Sequence, residues 1–297
     1  MTMKHDKQLR VVGKDIDLRA VCVVTTALCE EARQKHGTIG VATEALAQAL
    51  TGALLTGAVT VKGWNKVGLQ FRGEGPLGEI YADANGQGHA RGYVGNPAAE
   101  LPRVDGSWDL KAALGTGFLS VTTDLDLAER YHGVVSLLPG EMAPNLVHYF
   151  DTSAQIPTYV GLTVELNEDG SVAMAGGFLV QNIPGTNAGS LRDVEGNILG
   201  LPRLSRLLRE EGGMQKLMEG VFRGYRHDVL GEDDVAYVCP CSRARVERTL
   251  IALGQDELED MLVQDMGAEI KCEFCAETYS LNADDLLELL RQVSEKA

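Results

Sequence analysis

The sequence predicts an α+β protein in three parts: a domain of helices and antiparallel strands (residues 1–180), a helical linker (181–231) and a small C-terminal module (232–297). Helical patterns near the N-terminus give way to short alternating runs between Gly, Asn and Pro turns, which is typical of an α+β domain. Two amphipathic stretches interrupted by glycine follow. The last part is acidic and holds four of the six cysteines.

The N-terminal domain opens with an apolar, β-branched segment at residues 18–24, which predicts a strand. A helix ending at Gly37 comes next, and the alanine- and leucine-rich residues 43–60 predict a buried helix. Between residues 64 and 150, runs such as VGLQF, EIYAD and GFLSVTT indicate strands. The Asp169-Gly170 pair is a turn signal for one more hairpin before the domain ends.

The linker contains two predicted helices, at 201–209 and 214–223, which follow a polar and glycine-rich stretch at 185–200. Each helix has one apolar face, but short isolated helices are marginal in water. We therefore expect these faces to pack on the N-terminal domain with marginal stability. The apolar positions, which we call the linker face, are Leu201, Leu204, Leu208, Leu217, Val221 and Phe222.

The sequence of the C-terminal module predicts three short helices and only a small apolar core. Ser242 can cap the first helix, and Asn282 with Asp285 resembles a capping box for the last. A module of this size needs an additional cross-link to fold. It carries 16 acidic and 6 basic residues of a chain whose net charge is −15. Such a surface repels phosphate backbones, so we expect no nucleic-acid binding there.

The cysteines of this module supply the cross-link. Cys239 and Cys241 form a C-x-C pair, and Cys272 and Cys275 form a C-x-x-C pair 30 residues later. Four thiolates at this spacing fill the tetrahedron that Zn²⁺ prefers and leave no position for a catalytic water. The spacing fits both a static structural zinc site and an oxidation-sensitive one, since thiolates are the oxidisable form of cysteine. Iron in place of zinc, or four buried free cysteines, are the remaining alternatives.

Other motifs exclude several classes of function. Gly73, Gly75 and Gly78 match a dinucleotide-binding fingerprint, but strand-like EIYAD follows where a helix is required, so a β-turn is predicted and no nucleotide is expected. Cys22 and Cys29 lie in apolar segments and are predicted to be buried core residues. No apolar run is long enough to span a membrane, and the charged N-terminus is not a secretory signal, so a cytoplasmic protein without membrane contact is expected.

The chain resembles the 33 kDa chaperonin family of the bacterial cytosol. The two cysteine pairs match the family's zinc signature, and the resemblance extends through residues 73–97, 114–124, 131–158 and 175–185 in the family's order. Ala154 stands where the family usually has glutamate, and Pro240 where a small polar residue is more usual. Since proline has no N–H to donate to a thiolate, zinc affinity or disulfide closure can differ here.

The resemblance implies a redox-regulated holdase chaperone rather than an enzyme. It implies that the reduced protein holds one zinc ion and is inactive, and that oxidation forms Cys239–Cys241 and Cys272–Cys275 disulfides with release of zinc. The module and linker then unfold and expose apolar surface to unfolding client proteins, without ATP. A homodimer is expected in the oxidised state, and the linker face is the candidate trigger surface. A static zinc site in a non-redox interaction protein is the alternative.

Overall fold

The computed structural model describes residues 6–104, 107–125, 130–186 and 189–294. The chain divides into two compact units between Val238 and Cys239. Mixed helices and antiparallel sheets make up these units, which confirms the α+β prediction. The predicted limits of the linker, at residues 180 and 231, stay predictions.

The first unit contains two main sheets and several helices. Its strands are β1 (Lys7–Gly13), β2 (Leu18–Val24), β3 (Gly63–Gly73), β4 (Glu79–Gly86), β5 (His89–Val94), β6 (Arg103–Val104), β7 (Ser107–Trp108), β8 (Gly117–Asp124), β9 (Tyr131–Ser136), β10 (Thr158–Leu166), β11 (Val172–Asn182), β12 (His227–Asp234) and β13 (Ala236–Tyr237). Its helices are α1 (Thr26–His36), α2 (Gly40–Thr60), α3 (Leu110–Leu114), α4 (Met142–Tyr149), α5 (Ser190–Leu199), α6 (Leu204–Arg209) and α7 (Gly213–Val221). A π-helical turn, Phe150–Ala154, continues α4.

Sheet A has the strand order β10-β11-β2-β1-β12 and is antiparallel throughout. Sheet B has the order β13-β5-β4-β3-β8-β9, in which only the β13–β5 pair is parallel. The glycine motif of the sequence analysis lies in the β3–β4 connection, where Gly78 adopts φ +66°. The predicted β-turn is therefore confirmed, and no helix follows the motif.

Helix α2 packs against strands of both sheets. It is buried from Val41 to Gly57 at every position except Glu44. Burial on every side places the helix inside the core, so the predicted buried helix is confirmed. Gly52 permits close packing, since a Cβ there would lie 2.8 Å from Leu146 Cδ1.

Helices α5, α6 and α7 form a helical layer that covers one face of sheet A. Their buried side chains join one apolar cluster with β1, β2 and β11. Helix α5 lies within the stretch described above as polar and glycine-rich. It forms because Leu191, Val194 and Ile198 recur on one helical side and are buried in that cluster.

The second unit contains α8 (Arg243–Leu253), α9 (Gln255–Asp265), β14 (Gly267–Lys271), β15 (Thr278–Asn282) and α10 (Ala283–Ser294). The Ser242 hydroxyl accepts a bond from the Arg245 amide at 3.3 Å, and Asn282 and Asp285 exchange bonds of 2.9 and 3.0 Å. Both predicted caps are thus confirmed. The core is small; its buried residues are Leu250, Leu258, Leu281, Leu286 and Leu289.

Candidate metal centre

The first cysteine pair lies in the irregular segment at the start of the second unit, directly before α8. Cys239 and Cys241 flank Pro240, and Ser242 then caps α8. Pro240 lies outside any helix or strand, where its lack of a backbone N–H breaks no ladder hydrogen bond. The cap fixes where the helix begins, and so fixes the position of Cys241 immediately before it.

The second cysteine pair lies in the turn between β14 and β15. The Cys272 amide donates to the Glu277 carbonyl at 2.9 Å, and the Ala276 amide donates to the Cys272 carbonyl at 2.8 Å. Ala276 adopts φ +58°, in the left-handed region. This tight turn holds the Cys272 and Cys275 side chains on the same side of the hairpin end.

The four sulfur atoms converge, all within 4.8 Å of one another. Cys239 Sγ lies 3.8 Å from Cys272 Sγ, and Cys241 Sγ lies 3.2 Å from Cys275 Sγ. These separations exceed a bonded S–S distance, and none of the four cysteines is in a disulfide. A tetrahedral zinc site with Zn–S bonds of about 2.3 Å separates its sulfurs by about 3.8 Å. The cluster therefore fits a metal ion of that size and preference.

Burial at the cluster disfavours ionised thiolates in the absence of a cation. Burial raises the pKa of the Cys275 thiol, and the neighbouring thiols contribute further. Burial also raises the pKa of Cys272. Thiols in this environment become thiolates when a cation supplies compensating charge, because a coordinated thiol is deprotonated. The donor set of four sulfurs suits a soft or borderline ion rather than magnesium or calcium.

Tyr279 is part of this centre, although the sequence analysis did not identify it. Its hydroxyl donates to Cys241 Sγ at 3.2 Å, and this bond raises the pKa of the tyrosine. The residue lies on β15, 38 positions after its partner. The β14–β15 pairing creates the contact, and no local sequence pattern marks it.

The linker face lies against sheet A in the first unit. Leu208, Leu217, Val221 and Phe222 are buried there, and Leu201 and Leu204 are partly buried against the same cluster. Cys22 is fully buried in this cluster too, on the side of β2 that the helical layer covers. Cys29 is buried elsewhere, where its thiol donates to the Ala47 carbonyl of α2. Both were predicted as core cysteines, and burial raises the pKa of each.

None of the helices in the described ranges is long and apolar enough to cross a membrane.

Comparison with known proteins identifies the family. The model of the Hsp33 protein family matches residues 6–282. The 33 kDa chaperonin of Geobacter sulfurreducens is 41% identical over 282 residues, which cover 95% of this chain and 93% of that protein. The 33 kDa chaperonin of Thermus thermophilus is 39% identical over 295 residues, covering 96% and 86% of the two chains.

A solved structure agrees with these sequence relationships. The crystal structure of the 33 kDa chaperonin, a heat shock protein 33 homologue, from Thermotoga maritima superposes with a TM-score of 0.89. The two proteins are 32% identical, and the match covers 98% of this chain and 100% of the other. Fold, sequence and the clustered cysteines thus agree, and the chain belongs to the Hsp33 family, which is a family of chaperones and not of enzymes.

Proposed function

We propose that this protein is a redox-regulated, ATP-independent holdase, kept inactive by one zinc ion on Cys239, Cys241, Cys272 and Cys275. The observation that supports this proposal most directly is the convergence of four sulfurs within 4.8 Å from two separate segments of a unit with a small core. Zinc, when bound, supplies a cross-link between these two segments. Binding energy at such sites is folding energy, on the order of 10–16 kcal/mol in zinc-finger peptides.

Oxidation removes this cross-link. An oxidant such as peroxide or hypochlorite takes two electrons from each of two thiolate pairs, and the oxidant is reduced as two S–S bonds form. With Cys239 bonded to Cys241 and Cys272 bonded to Cys275, the sulfurs no longer hold the ion. Each disulfide then lies within one segment, so nothing ties the two segments together, and the unit unfolds.

Which cysteines pair on oxidation decides whether the C-terminal unit unfolds or stays folded. In the reduced protein the short sulfur contacts join Cys239 to Cys272 and Cys241 to Cys275, across the two segments. Disulfides between those partners would keep the segments tied and the unit closed. The pairing within each segment is therefore required for the switch.

Unfolding of the C-terminal module frees the far end of the linker. The helical layer then opens from sheet A, because its helices are too short to be stable alone. Its linker face and the sheet beneath it expose apolar surface that holds unfolding client proteins. We expect the protein to act in the bacterial cytoplasm and to be a homodimer when oxidised.

A paired measurement tests this function. Zinc content and suppression of light scattering by an aggregating client are measured on the reduced protein and after peroxide treatment, and the disulfides are mapped by mass spectrometry. We expect loss of one zinc, the two within-segment disulfides and a gain of suppression. Retained zinc with unchanged scattering would instead favour the alternative, a static zinc site in a non-redox interaction protein.

A further inference from the structure

Strand β12 covers one edge of sheet A. Its neighbour in the sheet is β1, with which it pairs antiparallel from Lys7 opposite Asp234 to Gly13 opposite His227. None of the eight residues of β12 is buried, and Val229 and Leu230 are 55% and 63% exposed. The strand therefore adds little apolar burial, and backbone pairing with β1 is its main attachment.

Opposite charges line the two strands. Lys7 Nζ lies 2.7 Å from Glu232, Arg10 Nη2 lies 2.7 Å from Asp233, and Lys14 Nζ lies 2.8 Å from Asp228. All these side chains are at least 32% exposed, so salt weakens the pairs. Strand β1 and Lys14, which follows it directly, thus form a basic edge, and β12 is an acidic strand that matches it.

Strand β1, which lies between β2 and β12, also has an apolar side that faces the helical layer. Leu9 and Val11 of β1 belong to the apolar cluster beneath α5, α6 and α7. Helix α7 leads into β12 along the chain, and Gln215 of α7 donates to Glu232 of β12 at 2.9 Å. Because α7 and β12 are joined in this way, opening of the helical layer also weakens the attachment of β12. Separation of β12 from β1 leaves β1 with unpaired backbone groups beside basic and apolar side chains.

We propose that the β1 edge is a docking site for an extended, acidic segment of an unfolding client, and that β12 occupies this site in the closed protein. The inference rests on the proposed holdase function and assigns a client surface to it. An exposed strand edge binds extended polypeptide through main-chain hydrogen bonds, which any sequence can form. Lys7, Arg10 and Lys14 then select acidic segments, as they hold Glu232, Asp233 and Asp228 in the closed state.

Charge also argues against a second copy of this chain as the occupant. Pairing of two β1 edges would bring Lys7, Arg10 and Lys14 of each copy against the same basic residues, and like charges directly opposite destabilise a strand pair. An acidic client segment has the complementary charge. The occupant is therefore expected to be polypeptide that resembles β12.

A labelled peptide of residues 226–235 tests the site on the full-length protein. We expect it to bind the oxidised protein by fluorescence anisotropy, and to bind the reduced protein about 10-fold more weakly because β12 is in place. A peptide with Asp228, Glu232, Asp233 and Asp234 changed to amides should lose most of this binding. The K7Q/R10Q/K14Q variant should bind the acidic peptide about 10-fold more weakly after oxidation.

One control variant tests whether the position of the removed charge matters, and a second variant tests whether displacement of β12 without oxidation is enough for peptide binding. K62Q/R72Q/K111Q removes the same charge at exposed sites in the same unit and should bind like the parent. D228P/V229P displaces β12 without oxidation, because consecutive strand N–H groups alternate in direction and one of the two prolines must face β1. This variant should bind the peptide while reduced and zinc-loaded.

Two outcomes separate this inference from the proposed function. If the oxidised parent suppresses client aggregation but neither it nor reduced D228P/V229P binds the acidic peptide better than the amide peptide, the docking site is wrong and the holdase function stands. If D228P/V229P binds the acidic peptide while oxidation of the parent produces no suppression, the edge is competent and the redox function is wrong.

Discussion

The Arg209 guanidinium on α6 lies 2.6 Å from the carboxylate of Glu165 on β10. The Ser205 hydroxyl, also on α6, donates to the same carboxylate. One acidic side chain thus joins the helical layer to the opposite edge of sheet A from β12. Hydrogen bonding from Ser205, followed by that from Arg209, holds the pKa of Glu165 below its usual value.

Glu165→Gln is expected to loosen α6 without changing the metal centre. Glutamine can still accept a hydrogen bond, but the charge that attracts Arg209 is lost, which weakens docking by about 1 kcal/mol. Amide exchange in α6 should then be about 5-fold faster in the reduced, zinc-loaded protein. Glu168→Gln, at an exposed position near the same hairpin, is the matched control and should leave exchange unchanged.

Acid should remove the advantage of Glu165 over glutamine. A carboxyl group whose folded pKa lies below the model value of 4.5 stabilises the fold fully above that value, and this contribution is lost as the pH falls through the folded pKa. The difference in unfolding free energy between the parent and Glu165→Gln should therefore be constant around neutral pH and shrink below pH 4.5. Urea unfolding as a function of pH measures it; a difference that grew on acidification would contradict the assignment.

Cys272→Ser is expected to lose tight zinc binding. The hydroxyl is a poor zinc ligand, and three thiolates with one open position bind the ion less well than four. Metal analysis of the reduced parent should give one zinc per chain, and the variant should release its zinc to a chelator that the parent resists. Cys29→Ala, a change of a buried cysteine that lies outside the cluster, should keep the parent's zinc. Full, tight zinc in Cys272→Ser would overturn the four-thiolate site.

Removal of metal under reducing conditions should unfold residues 232–297 and leave residues 1–180 folded. The C-terminal module has a small leucine core, and its 16 acidic residues against 6 basic residues repel one another. Amide exchange after chelation should rise throughout the module while the strands of the N-terminal domain stay protected. Equal protection in both regions would mean that the module folds without its ion.

Leu204→Glu combined with Phe222→Glu is expected to open the helical layer while zinc remains bound. Phe222 is 1% exposed and Leu204 is partly buried in the cluster on sheet A, so two carboxylates there cannot stay docked. The reduced, zinc-loaded double variant should suppress client aggregation. Suppression no higher than that of the reduced parent would mean that the linker face is not the latch.

Thiol labelling of the two core cysteines, Cys22 and Cys29, measures whether the helical layer separates from sheet A. Cys22 lies beneath the helical layer and Cys29 lies against α2, and burial raises the pKa of both thiols. In the double variant a thiol reagent should therefore label Cys22 faster than in the parent, while Cys29 stays unlabelled. Labelling of both residues would indicate general unfolding instead.

Local patterns were enough to predict several elements. The alanine- and leucine-rich α2, the β-turn at the glycine motif and the caps at Ser242 and Asn282 depend on residues close in sequence, so the sequence specifies them directly. Helix α5 was missed because Leu191, Val194 and Ile198 are diluted by polar residues and glycines, and sheet A selects the helix by burying these three. Tyr279 and Glu165 were missed because their partners are distant in sequence.

The sequence by itself determined the α+β class, the family and the identity of the four cysteines, because cysteine spacing and hydrophobic period are local properties. Tertiary structure decided what those residues contact. It brought the two cysteine pairs within 4.8 Å, placed the linker face on sheet A and set an acidic strand against a basic one. Contacts of this kind depend on strand register and helix packing between segments far apart in the chain, and a one-residue change in register would turn each side chain to the other face.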